Sequence, residues 1–162
     1  MTGRRDASRR LKDMERDLND TAIRLLAMRE HSQTELQRKL IQKGFKAQAV
    51  AQALEELIAQ NLLSDERFTE SFVMSRRERG TGPVKIQAEL QQRGIDNELI
   101  SRYLDFRDPN WLDLAEQARE KKFGQDLPAE YQLKSQQARF LANRGFSHEQ
   151  IRRVLDAEFE TG

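Results

Sequence analysis

An all-α fold of three tandem three-helix units is what this sequence predicts, and three observations carry the prediction. Glycines that fit helix ends recur at Gly44, Gly94 and Gly145, 50 and 51 residues apart. Each follows a base and precedes an apolar residue: Lys43-Gly44-Phe45, Arg93-Gly94-Ile95 and Arg144-Gly145-Phe146. Around them the apolar residues keep helical spacing. Leu40, Leu90 or Leu141 stands four before the glycine, Val50, Ile100 or Ile151 six after it, and Leu54, Leu104 or Leu155 ten after it. No run alternates apolar and polar residues as a half-buried strand would. The period divides the chain into a charged arm at 1–18 and units at 19–63, 64–107 and 108–162.

The elements follow in order. The arm, MTGRRDASRRLKDMERDL, reads as frayed or helical. After Asp20 an apolar helix carries Ala22, Ile23, Leu25, Leu26 and Met28. Ser32-Gln33-Thr34-Glu35 fits a capping box, in which the hydroxyl and the carboxylate satisfy backbone N–H groups at the start of a helix. Leu36, Leu40 and Ile41 follow it, and a third helix carries Val50, Ala53, Leu54, Leu57 and Ile58. The second unit opens on Ser64, with Phe68, Phe72 and Val73 at helical spacing, and breaks at Gly80-Thr81-Gly82-Pro83. Pro83 suits the first position of its second helix, where a missing N–H removes no bond. Asp96 is the expected cap of the next helix. Asp108-Pro109 opens the third unit, with Trp111, Leu112, Leu114, Ala115 and Ala118 inward. A loop from Phe123-Gly124 through Pro128 leads to a helix with Tyr131, Ala138, Phe140 and Leu141, and Ser147-His148-Glu149-Gln150 is a second capping box. At each repeated glycine a left-handed backbone would let the next apolar residue fold back: Phe45 on Leu40, Ile95 on Leu90 and Phe146 on Leu141. Lys43, Arg93 and Arg144 are then expected to face the negative ends of their own helices.

Composition bounds the function. The chain has 162 residues, of which 37% are apolar and 34% charged, so a lean core lies under a charged surface. It contains no Cys, which removes disulfides, thiolate metal sites and a Cys nucleophile and suits a reducing compartment. The N-terminal stretch lacks the apolar core of a secretory signal, and no apolar run approaches a membrane span, so the cytoplasm is the expected location. Net charge is +1, from 28 bases and 27 acids, too balanced for coating DNA by bulk charge. The charges are nonetheless segregated. Residues 35–46 carry Arg38, Lys39, Lys43 and Lys46 against one acid, 47–66 carry four acids and no base, and 76–93 carry five bases and two acids. Such alternation can give a folded chain a one-sided basic face. For any single base, an ordinary solvated helix face explains the charge as well.

Catalytic patterns are missing. His31 and His148 stand alone beside capping serines, without the HxxxH or HExxH spacing of a metal site, and both are expected at the surface. The glycines at 80 and 82 lack phosphate-loop spacing, and there is no G-x-S-x-G elbow. The expectation is a non-enzyme with no cofactor and no metal.

Taken together, Leu63-Ser64-Asp65-Glu66-Arg67-Phe68, Arg76-Arg77, Gly80-Thr81-Gly82-Pro83, Ile86-Gln87-Ala88-Glu89-Leu90 and Arg93-Gly94-Ile95 resemble the central motif of the RecX family. Glu35-Leu36-Gln37-Arg38-Lys39-Leu40 with Lys43-Gly44-Phe45, and the stretch from Asp20 to Leu26, are similar to that family too. The resemblance covers roughly residues 20–156, more loosely in the third unit, and does not include the arm. It implies three helix-turn-helix-like repeats in an elongated, curved array. It also implies a regulator that lies in the groove of RecA filaments on single-stranded DNA and restrains ATPase, strand exchange and co-protease activity, in DNA repair and the SOS response. A monomer is the expected state, with RecA and the filament's DNA as partners and weak direct DNA binding as an option. Charge clustering nominates Arg38, Lys39, Arg76, Arg77, Arg79 and Lys85 as contacts. The competing reading is a helix-turn-helix transcription regulator, and it needs a basic recognition helix. The third helices begin KAQAVAQ, DNELISR and SHEQIRR, which are not strongly basic at their N-terminal ends. A helical-repeat adaptor with no nucleic acid nearby is the third reading.

Overall fold

The structure is a computed structural model that describes residues 3–156. Among the described residues the chain forms nine helices and no strand. They are α1 (Gly3–Met28), α2 (Gln33–Gln42), α3 (Ala47–Ala59), α4 (Asp65–Glu78), α5 (Pro83–Gln92), α6 (Asn97–Tyr103), α7 (Asn110–Phe123), α8 (Tyr131–Arg144) and α9 (His148–Leu155). The all-α tandem arrangement is thus as expected, three helices to a repeat. The entry to the first repeat is not. Asp20 does not open a helix, because α1 runs unbroken through it from the arm. The arm has the Ala, Arg, Leu, Lys and Glu content that sustains a helix without packing, and Leu11 and Met14 on it are exposed.

The caps fall where short polar side chains can reach orphan N–H groups. Ser32 Oγ accepts from Glu35 N, Asp96 Oδ1 from Leu99 N, and Ser64 Oγ from Arg67 N. The box at Ser147 is complete, with Gln150 returning a bond to the Ser147 N–H. The one at Ser32 is half-made, because the Glu35 carboxylate turns to Arg29. Helix ends follow one pattern. At α2, Gly44 N donates to Ile41 O and Phe45 N to Leu40 O; at α8, Gly145 N donates to Ala142 O and Phe146 N to Leu141 O. Gly44 and Gly145 have φ of 102° and 99°, the left-handed geometry this double bond requires. The end of α3 makes the same bonds through Asn61, at φ 60°, with Leu62 N donating to Leu57 O.

The described chain divides into two compact units. The first runs to Thr69 and takes in Arg93–Ile95. Leu18, Ala22, Leu36, Leu40, Val50, Ala53, Leu54, Leu57 and Leu63 form its core, with Leu25, Leu26, Phe45 and Ala49 packed around it. Ile23 and Met28, on the outer side of α1, stay exposed. The second unit comprises Glu70–Gln92 and the chain from Asp96 on. Trp111 is its largest fully buried side chain, and its indole N–H donates to Asp105 O at 2.7 Å. Phe123 and Phe140 meet edge to face at 5.3 Å, closing α7 on α8. Leu112 and Leu114, expected inward, are half-buried.

Each unit contains a joint of the same design. In the first, the opening of α2 meets the turn after α5: Ser32 Oγ donates to Arg93 O at 2.8 Å, and a Cβ on Gly94 would strike Thr34. In the second, the opening of α5 meets the turn after α8: Gly82 N donates to Arg144 O at 2.8 Å and Val84 N to Gly145 O at 2.9 Å. A Cβ on Gly82 would overlap the Gly145 and Phe146 backbone. Ser32 and Gly82 each stand twelve residues before the glycine of their own repeat, so the two joints are equivalent.

Candidate interaction surfaces

The nominated bases have different surroundings. On α2, Arg38 is exposed and Lys39 is half-buried. Lys39 Nζ lies 3.0 Å from His31 Nε2, and His31 Nδ1 lies 3.0 Å from Arg29 O. A carbonyl only accepts, so Nδ1 carries the proton, Nε2 accepts from the ammonium, and the imidazole is neutral. His31 is 1% exposed, which corrects the expectation of a surface histidine. Capping of α2 by Ser32 draws the preceding residue inside. Burial lowers the His31 pKa, and the charges of Arg29 and Lys39 lower it further. Burial also lowers that of Lys39, helped by Arg29. Burial alone would raise the Glu35 carboxyl, but bonds at 2.9 and 3.1 Å from Arg29, with its charge, hold it below its ordinary value.

On α4, Arg76 and Arg77 are occupied within the fold. Arg76 Nε donates to Glu89 at 2.8 Å while its guanidinium lies 4.4 Å from the Phe72 ring centre. Arg77 donates to Asp108 at 3.1 Å and lies 4.2 Å from the Trp111 ring. Asp108 is held below its ordinary pKa by the Asn110 backbone N–H and by Arg77. These two arginines tie α4 to α5 and to the start of α7, so structural work accounts for them. Arg79 and Lys85 are exposed.

The fold gathers Arg79 and Lys85 at the second joint and adds a base that charge clustering did not nominate. Arg144 Nη1 donates to Arg79 O at 3.3 Å, and Lys85 Cβ stands against Gly145. Arg144 stands in the last turn of its own helix, as expected, and from there it also reaches the end of α4. Arg93 likewise turns toward Glu35, at 3.8 Å. In both cases the glycine turn packs against another helix, and the base preceding it is drawn across the joint. The sequence signal for Arg144 was its place in the base-Gly-apolar repeat.

A second residue missed in the sequence is Arg119, which is fully buried. Its guanidinium donates to the carbonyls of Gly124, Gln125 and Asp126 and to Glu116 at 2.7–3.3 Å, organising the turn after α7. The 111–115–118/119 spacing places it on the inner face, but a lone Arg in EQAREKKF reads as surface charge. His148 is exposed, as expected. Among the described residues no group of three or more His, Asp or Glu side chains could hold a metal ion, and no helix is long and apolar enough to cross a membrane.

Comparison with known proteins agrees with this repeat plan. The models of the first, second and third three-helix domains of RecX match residues 20–57, 64–104 and 109–155. The regulatory protein RecX of Halorhodospira halophila is 43% identical over 143 residues, 88% of this chain and 89% of that protein. That of Pseudomonas entomophila is 42% identical over 135 residues, 83% of this chain and 87% of that protein. A crystal structure of RecX from Lactobacillus salivarius superposes with a TM-score of 0.75, covering 90% of this chain and 97% of that one. At 20% identity, that likeness concerns the fold alone.

Proposed function

Because this chain belongs to the RecX family of regulatory proteins, we propose that it binds RecA filaments on single-stranded DNA and restrains their ATPase, strand exchange and co-protease activity. It acts without catalysis, as a monomer in the cytoplasm, in DNA repair and the SOS response. Repeats at 19–63, 64–107 and 108–162 supply the contact surfaces, and the arm at 1–18 precedes them. The observation that carries this reading is the match of all three RecX three-helix domains in order along the chain. The charge pattern supports it. Near-neutral net charge with local basic clusters suits a protein groove holding nucleic acid better than naked duplex. Of the nominated contacts, Arg38, Arg79 and Lys85 are the exposed ones, and the half-buried Arg144 lies beside Arg79. A transcription regulator would need one basic recognition helix, and α3, α6 and α9 begin AQA, NEL and HEQ.

The test is the ATPase rate of RecA filaments on single-stranded DNA with this protein added substoichiometrically. The expected result is a falling rate at low protein-to-recombinase ratios, as binding or end-capping predicts. An unchanged rate with folded protein would sink the regulator reading.

A further inference from the structure

Among the described residues, two of the three repeated glycine turns are covered, and the third is not. The turn at Gly94 is met by the opening of α2, and that at Gly145 by the opening of α5. In both, a small residue at the start of the covering helix donates a hydrogen bond to the carbonyl of the base before the glycine: Ser32 to Arg93 O, Gly82 to Arg144 O. The equivalent turn in the first repeat is Lys43-Gly44-Phe45. A Cβ on Gly44 would meet nothing within 4 Å, and Lys43 is exposed. Phe45 is only half-buried, whereas its counterparts Ile95 and Phe146 are 4% and 3% exposed. Beside it Ile41 is 42% exposed, at the place held by Gln91 and Ala142 in the other repeats.

The geometry points to the Gly44 turn as a docking site for the N-terminus of a helix on the recombinase, opened by Ser, Thr or Gly and carrying an acid three residues later. The cap chemistry follows from the two internal joints, since only a small residue lets a helix start approach the turn closely enough to bond the carbonyl. The acid follows from the first joint, where Arg93 faces Glu35, three residues after the Ser32 cap. Lys43 takes the place of Arg93 at the open turn, and residues 35–46 hold four bases against one acid, so the occupant must bring negative charge. Ile41 and Phe45 offer it an apolar floor. A second copy of this chain does not fit. The residue of its third repeat that corresponds to Ser32 and Gly82 is Leu133, inside α8 and too large for the approach.

This inference rests on the regulator reading, and one experiment separates the two. A benzophenone amino acid replaces Ile41 in the full chain, which is sedimented with RecA filaments on single-stranded DNA and then photolysed. The expected result is a crosslink within the first turn of a recombinase helix with a Ser, Thr or Gly cap. Lys43→Glu should lower its yield about fivefold, as loss of one exposed charge pair would, while thermal melting stays unchanged. Co-sedimentation without a crosslink to the recombinase overturns the docking site and leaves the regulator reading standing. So does a crosslink only to another copy of this chain, to the middle of a recombinase helix, or to a loop or strand. Absence of co-sedimentation overturns both.

Discussion

At the scale of single residues, His31 is the group whose chemistry departs furthest from its sequence context. Its neutral ring accepts from Lys39 and donates to Arg29 O, with Arg29 and Glu35 beside it. Protonation would remove the acceptor at Nε2 and set a third positive charge beside Lys39 and Arg29, which the Glu35 carboxylate offsets in part. Burial above all, with the charges of Arg29 and Lys39, lowers the folded-state pKa from 6.5. Between that lowered value and 6.5 the unfolded chain binds a proton that the folded chain does not. The sign follows: stability is full above about pH 6.5 and falls as the pH drops toward the folded pKa, with a slope of at most about 1.4 kcal/mol per pH unit. Urea denaturation of the wild type and of His31→Gln between pH 7.5 and 5 measures this. The wild type should lose stability faster than the variant as acid is added. Parallel curves would mean that His31 titrates normally and that its burial is not maintained in solution.

Elements are joined here by backbone as much as by side chains, and the glycines show how two different demands select one residue. Gly44 is needed for its φ of 102° and, among the described residues, has open space around it. Gly82 has no left-handed backbone to maintain; it is needed because the Gly145 and Phe146 main chain lies where its Cβ would be. Gly44→Ala then meets only the left-handed penalty, about 1–2 kcal/mol. Gly82→Ala must separate α5 from the turn after α8 and break the bonds of Gly82 N and Val84 N to Arg144 O and Gly145 O, for about 3 kcal/mol. Chemical denaturation should rank the variants in that order. Hydrogen exchange should report the second loss locally, as faster exchange at Val84 N in Gly82→Ala and no change there in Gly44→Ala. Equal losses, or exchange that quickens everywhere alike, would mean that the joint is not an independent contact.

For the molecule as a whole, what was legible in the sequence was local. The glycine period, the caps at Ser64, Asp96 and Ser147, and Pro83 at a helix start each follow from a few neighbouring residues and stand as read, while Ser32 caps its helix with only half of the expected box. What was not legible depends on partners distant along the chain. His31 is buried next to Ser32, which docks on Arg93 O, and Arg144 is a joint residue that meets Arg79 O. Arg76 and Arg77 looked like surface charge because Glu89, Phe72, Asp108 and Trp111 could not be seen beside them. That difference in surroundings separates two kinds of base within one short stretch, and it can be measured. Arg79→Glu with Lys85→Glu reverses charge at two exposed side chains. It should weaken co-sedimentation with RecA filaments roughly tenfold, with a shallower salt dependence and an unchanged melting temperature. Arg77→Ala removes the Asp108 bond and the stacking on Trp111. It should lower stability by about 1–2 kcal/mol and affect filament binding only as far as folded protein is lost. If Arg77→Ala abolishes binding at full stability while the double reversal leaves it intact, the contact surface lies on the other side of α4, and the assignment of Arg79 and Lys85 fails.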